Sequence, residues 1–159
     1  MRRYLDSNVL DATRARVAWV FDRFQRICVS FSGGKDSTCM LHLVMDEVAR
    51  RKRKVAVLFI DWEAQFKLTI DHVTEMYARY AEWIEPWWVC APLRTTNAVS
   101  QIEPEWICWE RGKEDRWVRQ IPPTAKREDK LPFYVYPMTF EEFVPAFGDF
   151  YAGGVDTAF

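Results

Sequence analysis

The stretch CVSFSGGKDSTCM, residues 28 to 40, sets a run of apolar β-formers against two adjacent glycines, then places Lys-Asp-Ser where a helix can begin. Gly33 and Gly34 permit positive φ and close approach of a ligand. The free backbone N–H groups of the following helix start point at whatever lies there, and the helix dipole favours an anion. Ser32 and Ser37 add hydroxyl donors and Lys35 a positive charge, so the turn reads as a grip for phosphate or pyrophosphate. A Walker A loop requires G-x-x-x-x-G-K-[ST]; only Gly33 and Gly34 precede Lys35, so the span that wraps a β-phosphate is missing. The G-x-G-x-x-G dinucleotide turn is missing as well.

Working outward, ICVSF (27–31) lacks strict alternation and fits a strand buried on both faces. Before it, Val9, Leu10, Thr13, Val17, Val20, Phe21 and Phe24 recur at helical spacing, which predicts a helix from an N-cap at Ser7 to Arg23. After the loop, Met40, Leu41, Leu43, Val44 and Val48 form a helical stripe from Ser37 to Arg50. KVAVLFID (54–61) is a second strand, Phe66 to Ala81 a further helix, and EWIEPWWVC (82–90) a third strand in which Pro86 argues for an edge or an irregular start. Strands separated by helices call for right-handed crossovers, hence an α/β fold: a doubly wound parallel sheet with flanking helices. In such a sheet ligands sit beyond the carboxyl ends of the strands, where the 32–37 loop falls.

The 159 residues predict one domain, with a nucleotide-binding core over 1–90 and an irregular, Trp-rich excursion plus a C-terminal helix over 91–159. Seven of the eight tryptophans lie between Trp62 and Trp117, and core packing is the expected use for them. A net charge of −1 gives no general attraction to nucleic acid or to an anionic membrane. The basic run Arg50 to Lys54 reads as a solvated helix end, so nucleic acid enters only indirectly if at all. The charged amino end carries no secretion signal and no apolar run is long enough to span a membrane, so the expected location is cytoplasmic. Cys28, Cys39, Cys90 and Cys108 lack metal-ligand spacing and are expected as reduced, mostly buried thiols.

Ser32-Gly33-Gly34-Lys35-Asp36-Ser37 resembles the S-G-G-x-D-S loop of the ATP pyrophosphatase (PP-loop) superfamily, whose fold is adenine nucleotide alpha-hydrolase-like. LFIDWEAQF resembles the strand-end segment of the phosphoadenosine phosphosulfate (PAPS) reductase-like branch, with Trp62-Glu63 replacing Thr-Gly. FSGGKDST, FIDWEAQF, WERGKEDRWVRQIP and MTFEEFVPAFGDFY together are similar to its immunoglobulin-binding regulator A-type subgroup. The resemblance implies ATP and Mg²⁺ as ligands, cleavage of ATP to AMP and pyrophosphate, and adenylation of an acceptor. It implies binding by Ser32, Gly33, Gly34, Lys35, Asp36, Ser37 and Asp61, with Lys35, Asp36 and Ser37 catalytic and Asp36 and Asp61 holding the metal. Asp61 has a second reading as the N-cap of the next helix.

The subgroup is associated with ParB/sulfiredoxin-like partners, which supports an alternative: a nucleotide-sensing regulatory subunit with little turnover. The reductant-cysteine segment E-C-G-[IL]-H of true PAPS reductases has no counterpart, so sulfonucleotide reduction is not expected. Family members continue beyond the EEFVPAFGDFY helix, so three expectations stand side by side: a minimal domain, one truncated before the family's C-terminal strands, or one completed by another chain. Arg111, Lys113, Arg116 and Arg119 are candidates either for cationic clamps over the loop or for solvated surface charge. His42 and His72 are expected to be packed or exposed, and Thr139 with Glu142 to open the last helix as a capping box.

Overall fold

The computed structural model describes residues 6–159; the reading of the charged amino end falls in part on residues 1–5, outside the described residues. The first helix, α1 (Val9–Arg23), is capped by Asn8, whose side chain accepts from the Asp11 amide at 2.9 Å. The cap thus sits one residue later than expected. Strand β1 (Arg26–Ser30), helix α2 (Lys35–Arg51), strand β2 (Val55–Ile60), helix α3 (Lys67–Arg79) and strand β3 (Ile84–Val89) follow in the order that the sequence predicts. The second helix starts two residues earlier than the stripe suggests, because the loop residues Lys35 and Asp36 are themselves its first turn.

The main sheet is fully parallel with order β3-β2-β1-β7, where β7 is the short strand Thr157–Ala158 paired with Arg26 and Ile27. Pro86 lies in β3, an edge strand, where its missing N–H costs least. Adjacent residues of a strand face opposite sides, and Trp87 and Trp88 report this directly. The Trp88 ring meets Tyr77 of α3 edge-on at 5.7 Å, whereas Trp87 meets Phe147 of the last helix, α4 (Phe140–Ala152), at 5.3 Å. Helices therefore cover both faces, and the fold is a doubly wound α/β sheet. The chain steps from β1 to β2 to β3 in one direction and returns to β7 on the far side of β1, so the topological switch lies at the end of β1.

The excursion contains a second sheet that the sequence did not reveal, ordered β5-β4-β6 from Leu93–Thr96 (β4), Glu105–Cys108 (β5) and Met138–Thr139 (β6). All seven tryptophans of the 62–117 stretch are buried or half-buried, as core packing requires. The capping box is present: Thr139 accepts from the Glu142 amide at 3.3 Å, and Glu142 accepts from the Thr139 amide at 2.8 Å. Phe143, Phe147 and Tyr151 form the buried stripe that seats α4 on the sheet. Among the described residues, no helix is long and apolar enough to cross a membrane.

The basic run at the end of α2 is more than a solvated helix end. Arg53 donates to the carbonyls of Phe21 and Phe24 at 2.9 and 2.5 Å, and Arg51 reaches Asp22 at 2.5 Å. Both tie α2 to α1. Arg50 and Arg51 also grip Glu47, whose carboxyl falls to about 2, chiefly through its hydrogen bond to Arg50. A depressed folded-state pKa contributes stability that is present above the ordinary carboxylate value and is lost as the pH falls toward 2. Glu47→Gln is expected to cost about 1 kcal/mol at pH 7, or about 2–4 °C in Tm. Thermal melts of both proteins from pH 7 to pH 2.5 should show that gap closing as the pH falls.

Candidate functional site

The loop between β1 and α2 is built by three local devices. Phe31, 1% exposed, anchors its start, with its amide donating to the Leu58 carbonyl at 2.8 Å. Gly33 then takes φ +76°, and a Cβ there would meet Val73 Cγ2 at 2.9 Å and Thr69 Cγ2 at 3.0 Å. Glycine is needed twice over, for the left-handed backbone and for the close approach of α3. Gly34 caps α2 with extended backbone and no side-chain hydrogen bond, which leaves the first-turn amides of α2 without an intrahelical acceptor.

Around those amides the hydroxyls are pre-arranged. Ser32 and Ser37 Oγ stand 3.0 Å apart, the Gly34 amide donates to Ser32 Oγ at 3.3 Å, and Ser37 and Thr38 donate to the Gly34 carbonyl at 3.0 and 2.8 Å. Thr38 Oγ1 also bonds His72 Nε2 at 2.9 Å, so α3 helps to fix the loop. His72 therefore positions the loop, a role its sequence setting did not signal. Lys35 and Asp36 form an ion pair at 2.6 Å with side chains 86% and 89% exposed. A pair so exposed is worth little, and Lys35 can leave it for an arriving anion at small cost. Ser32, Gly33, Gly34, Lys35, Asp36 and Ser37 are thus brought together, at the switch point where a doubly wound sheet takes its ligand.

Asp61 differs from expectation. It is fully buried, and its carboxylate already accepts from the Glu63 amide at 2.9 Å, Trp88 Nε1 at 2.8 Å, Cys90 Sγ at 3.6 Å and Arg119. With both oxygens engaged, the residue fits neither a ribose hydroxyl nor Mg²⁺, and α3 is capped instead at Phe66. Among the described residues no group of three or more His, Cys, Asp or Glu side chains could hold a metal. Of the two expected metal ligands, only Asp36 is exposed to solvent.

Beside Asp61 sits Glu63, also buried, with φ +63°. Its carboxylate accepts from the Trp109 amide at 2.6 Å and the Val118 amide at 3.0 Å, which pins the excursion to the end of β2. Sequence reasoning missed this role because Glu63 stood only as a departure from Thr-Gly. The four candidate clamps are placed elsewhere: Arg119 holds Asp61 with its guanidinium over the Trp109 ring, Arg111 pairs with Glu128 at 2.7 Å, Lys113 pairs with Glu110 at 2.7 Å, and Arg116 is exposed. Burial pushes the thiols of Cys28 and Cys108 up to about 12 and that of Cys90 up as well, whereas Cys39 is exposed.

A cavity of about 420 Å³ opens at the same end of the molecule, lined by Trp62, Arg94, Thr95, Thr96, Glu105 and the first residues of α4. Trp62 follows β2 as Ser32 follows β1, so the cavity and the loop share the carboxyl end of the sheet.

These placements separate two kinds of residue by experiment. Asp61→Ala leaves the half-buried Arg119 cation uncompensated and is expected to cost about 3 kcal/mol in denaturant unfolding. A solvent-facing ligand for ribose or metal would leave the unfolding midpoint where it was. Gly33→Ala is expected to cost about 1–3 kcal/mol by the same measurement, from the left-handed backbone and the contact with α3.

The uncharacterized protein YbdN of Escherichia coli (strain K12) is 47% identical over 150 residues, covering 93% of this chain and 36% of its own length. The chain therefore spans about a third of that relative. The model of the phosphoadenosine phosphosulfate reductase domain matches residues 26–123, from the first residue of β1 through the loop, the Asp61–Glu63 corner and the Arg119 segment. The chain belongs to the phosphoadenosine phosphosulfate reductase domain family.

Proposed function

We propose that the protein binds ATP·Mg²⁺ with its phosphates on residues 32–37 and cleaves it between the α- and β-phosphates. The observation that carries this reading is the loop itself: free α2 amides, two hydroxyls 3.0 Å apart and an exposed lysine at the switch point of the sheet. Backbone approach at Gly33 and Gly34 seats the phosphates, Ser32 and Ser37 donate to their oxygens, and Lys35 neutralises the charge that grows on the leaving group. An acceptor oxygen attacks the α-phosphorus, the bond to the bridging oxygen breaks, and pyrophosphate departs with that electron pair. Asp36 pairs loosely with Lys35 before binding and is the one loop carboxylate able to face the cation that ATP brings.

A second reading, a regulatory subunit that binds the nucleotide and signals through a ParB-like partner, is favoured by one feature. Strand β7 pairs only with Arg26 and Ile27, and apolar cavities of about 550 and 520 Å³ flank the rest of β1. Such an edge suits an added strand. With ATP labelled at the α-phosphate, the enzyme reading expects labelled AMP and free pyrophosphate, both lost in Lys35→Ala and Ser37→Ala. Saturable ATP binding by calorimetry without turnover selects the regulatory reading, and ADP as sole product overturns α–β cleavage.

A further inference from the structure

The cavity beside Trp62 has a lining that the grip on ATP does not use. In the small sheet Arg94 lies opposite Thr139, and Thr96 lies opposite Glu105. Arg94 and Thr96 are two residues apart on one strand, so this register sets a guanidinium, a carboxylate and two hydroxyls on one face. The opposite wall is aromatic: Trp62 and Phe140 meet with ring centroids 5.9 Å apart. Glu141, in the first turn of α4, adds a second carboxylate.

Arg94 is incompletely satisfied. Its Nε is buried without a hydrogen-bond partner, and its Nη1 stands 3.6 Å from Glu105 Oε1, beyond hydrogen-bonding distance. A buried donor left unpaired destabilises the fold, and a ligand oxygen would satisfy it. The planar fork of a guanidinium matches a carboxylate two bonds at a time. A simple carboxylate is nevertheless a poor occupant, because Glu105 and Glu141 would repel it. A purine is poor too, since a base has no charge for either side of this lining. A ligand that carries both an anionic and a cationic group answers all three charged residues, and about 420 Å³ lies within the usual range for small-molecule sites.

We propose that this cavity binds a free α-amino acid, with its carboxylate on Arg94, its ammonium group between Glu105 and Glu141, and its side chain against Trp62 and Phe140. Phe140 lines this cavity and also the one that contains Ser30, the last residue of β1 before the loop. The amino acid is therefore the second substrate at the sheet end where ATP is gripped, a role that rests on the α–β cleavage reading; the binding itself does not.

Calorimetric titration of the 159-residue chain with each of the twenty standard amino acids, without ATP, tests the site, with acetate and methylammonium as half-ligand probes. At least one amino acid should bind saturably and at least tenfold more tightly than either probe. Arg94→Met and Glu105→Gln, checked for folding by circular dichroism, should each weaken that binding about ten- to hundredfold, while ATP affinity stays within twofold. No saturable amino acid binding overturns the proposal. So does acetate binding as tightly as the amino acid, or a loss of ATP affinity in Arg94→Met equal to its loss of amino acid affinity, which would assign the cavity to the nucleotide. Amino acid binding that leaves pyrophosphate release undetectable upholds the site and removes the turnover reading, so the two failures are distinguishable.

Discussion

The buried carboxylate of Asp61 is the constraint on which the functional end of the molecule depends. A charge fully removed from water must be met by donors, or the fold loses several kcal/mol. Here the donors come from β3 (Trp88), from the residue just past it (Cys90), from the turn after β2 (Glu63) and from the far side of the excursion (Arg119). The Asp61 carbonyl adds Trp109, whose indole Nε1 donates at 2.7 Å. One side chain thus decides where three separate segments meet. Glu63 extends the arrangement by accepting the amides of Trp109 and Val118. Both carboxylates sit at the carboxyl end of β2, one strand away from the loop.

From that anchor the rest of the site follows. Trp109 is 1% exposed and stacks edge-on against Trp117 at 5.3 Å, so the excursion has a small aromatic core of its own. Held in place, it carries β4 and β5 to the position where β4 pairs with β6 and the chain enters α4. That helix then crosses to the opposite face of the main sheet from α3 and returns the chain to the free side of β1. That return produces the switch in winding direction beside the loop, which is where such a sheet opens a crevice.

Much of this was legible in the sequence, and the rest was not for identifiable reasons. Uninterrupted apolar runs revealed β1 and β2, because a strand covered on both faces must be apolar throughout. The two glycines ahead of Lys35 revealed the turn that leaves β1 and opens α2, because few other residues allow that backbone path. The small sheet was hidden because its strands are two to four residues long, too short for a period to register. Asp61 was placed correctly at a strand end but assigned the wrong role. Position along the chain says that a carboxylate is near a ligand, whereas only the donors around it say whether its oxygens are free. The partners of the cations in the excursion were hidden for a similar reason. Arg119 belongs to Asp61, and Arg111 to Glu128, through partners 58 and 17 residues away that no local pattern connects.

The two halves of the site differ in how their charges are held, and that difference bears on what each can do. The loop presents Lys35 and Asp36 almost wholly in water, so the pair can open and re-form around a ligand with little change in solvation. In the Asp61–Arg119 pair the carboxylate is fully buried and the guanidinium largely so, and the pair cannot open without leaving Asp61 short of a donor. A site that must accept a highly charged ligand and release it needs the first kind of charge at the point of contact and the second kind behind it. The second cavity stands between these extremes: Arg94 and Glu105 are half in water and 3.6 Å apart, close enough to share a field and too far to satisfy each other. Charges in that state are set to be completed from outside, and a molecule bearing both signs completes them without adding net charge to the site.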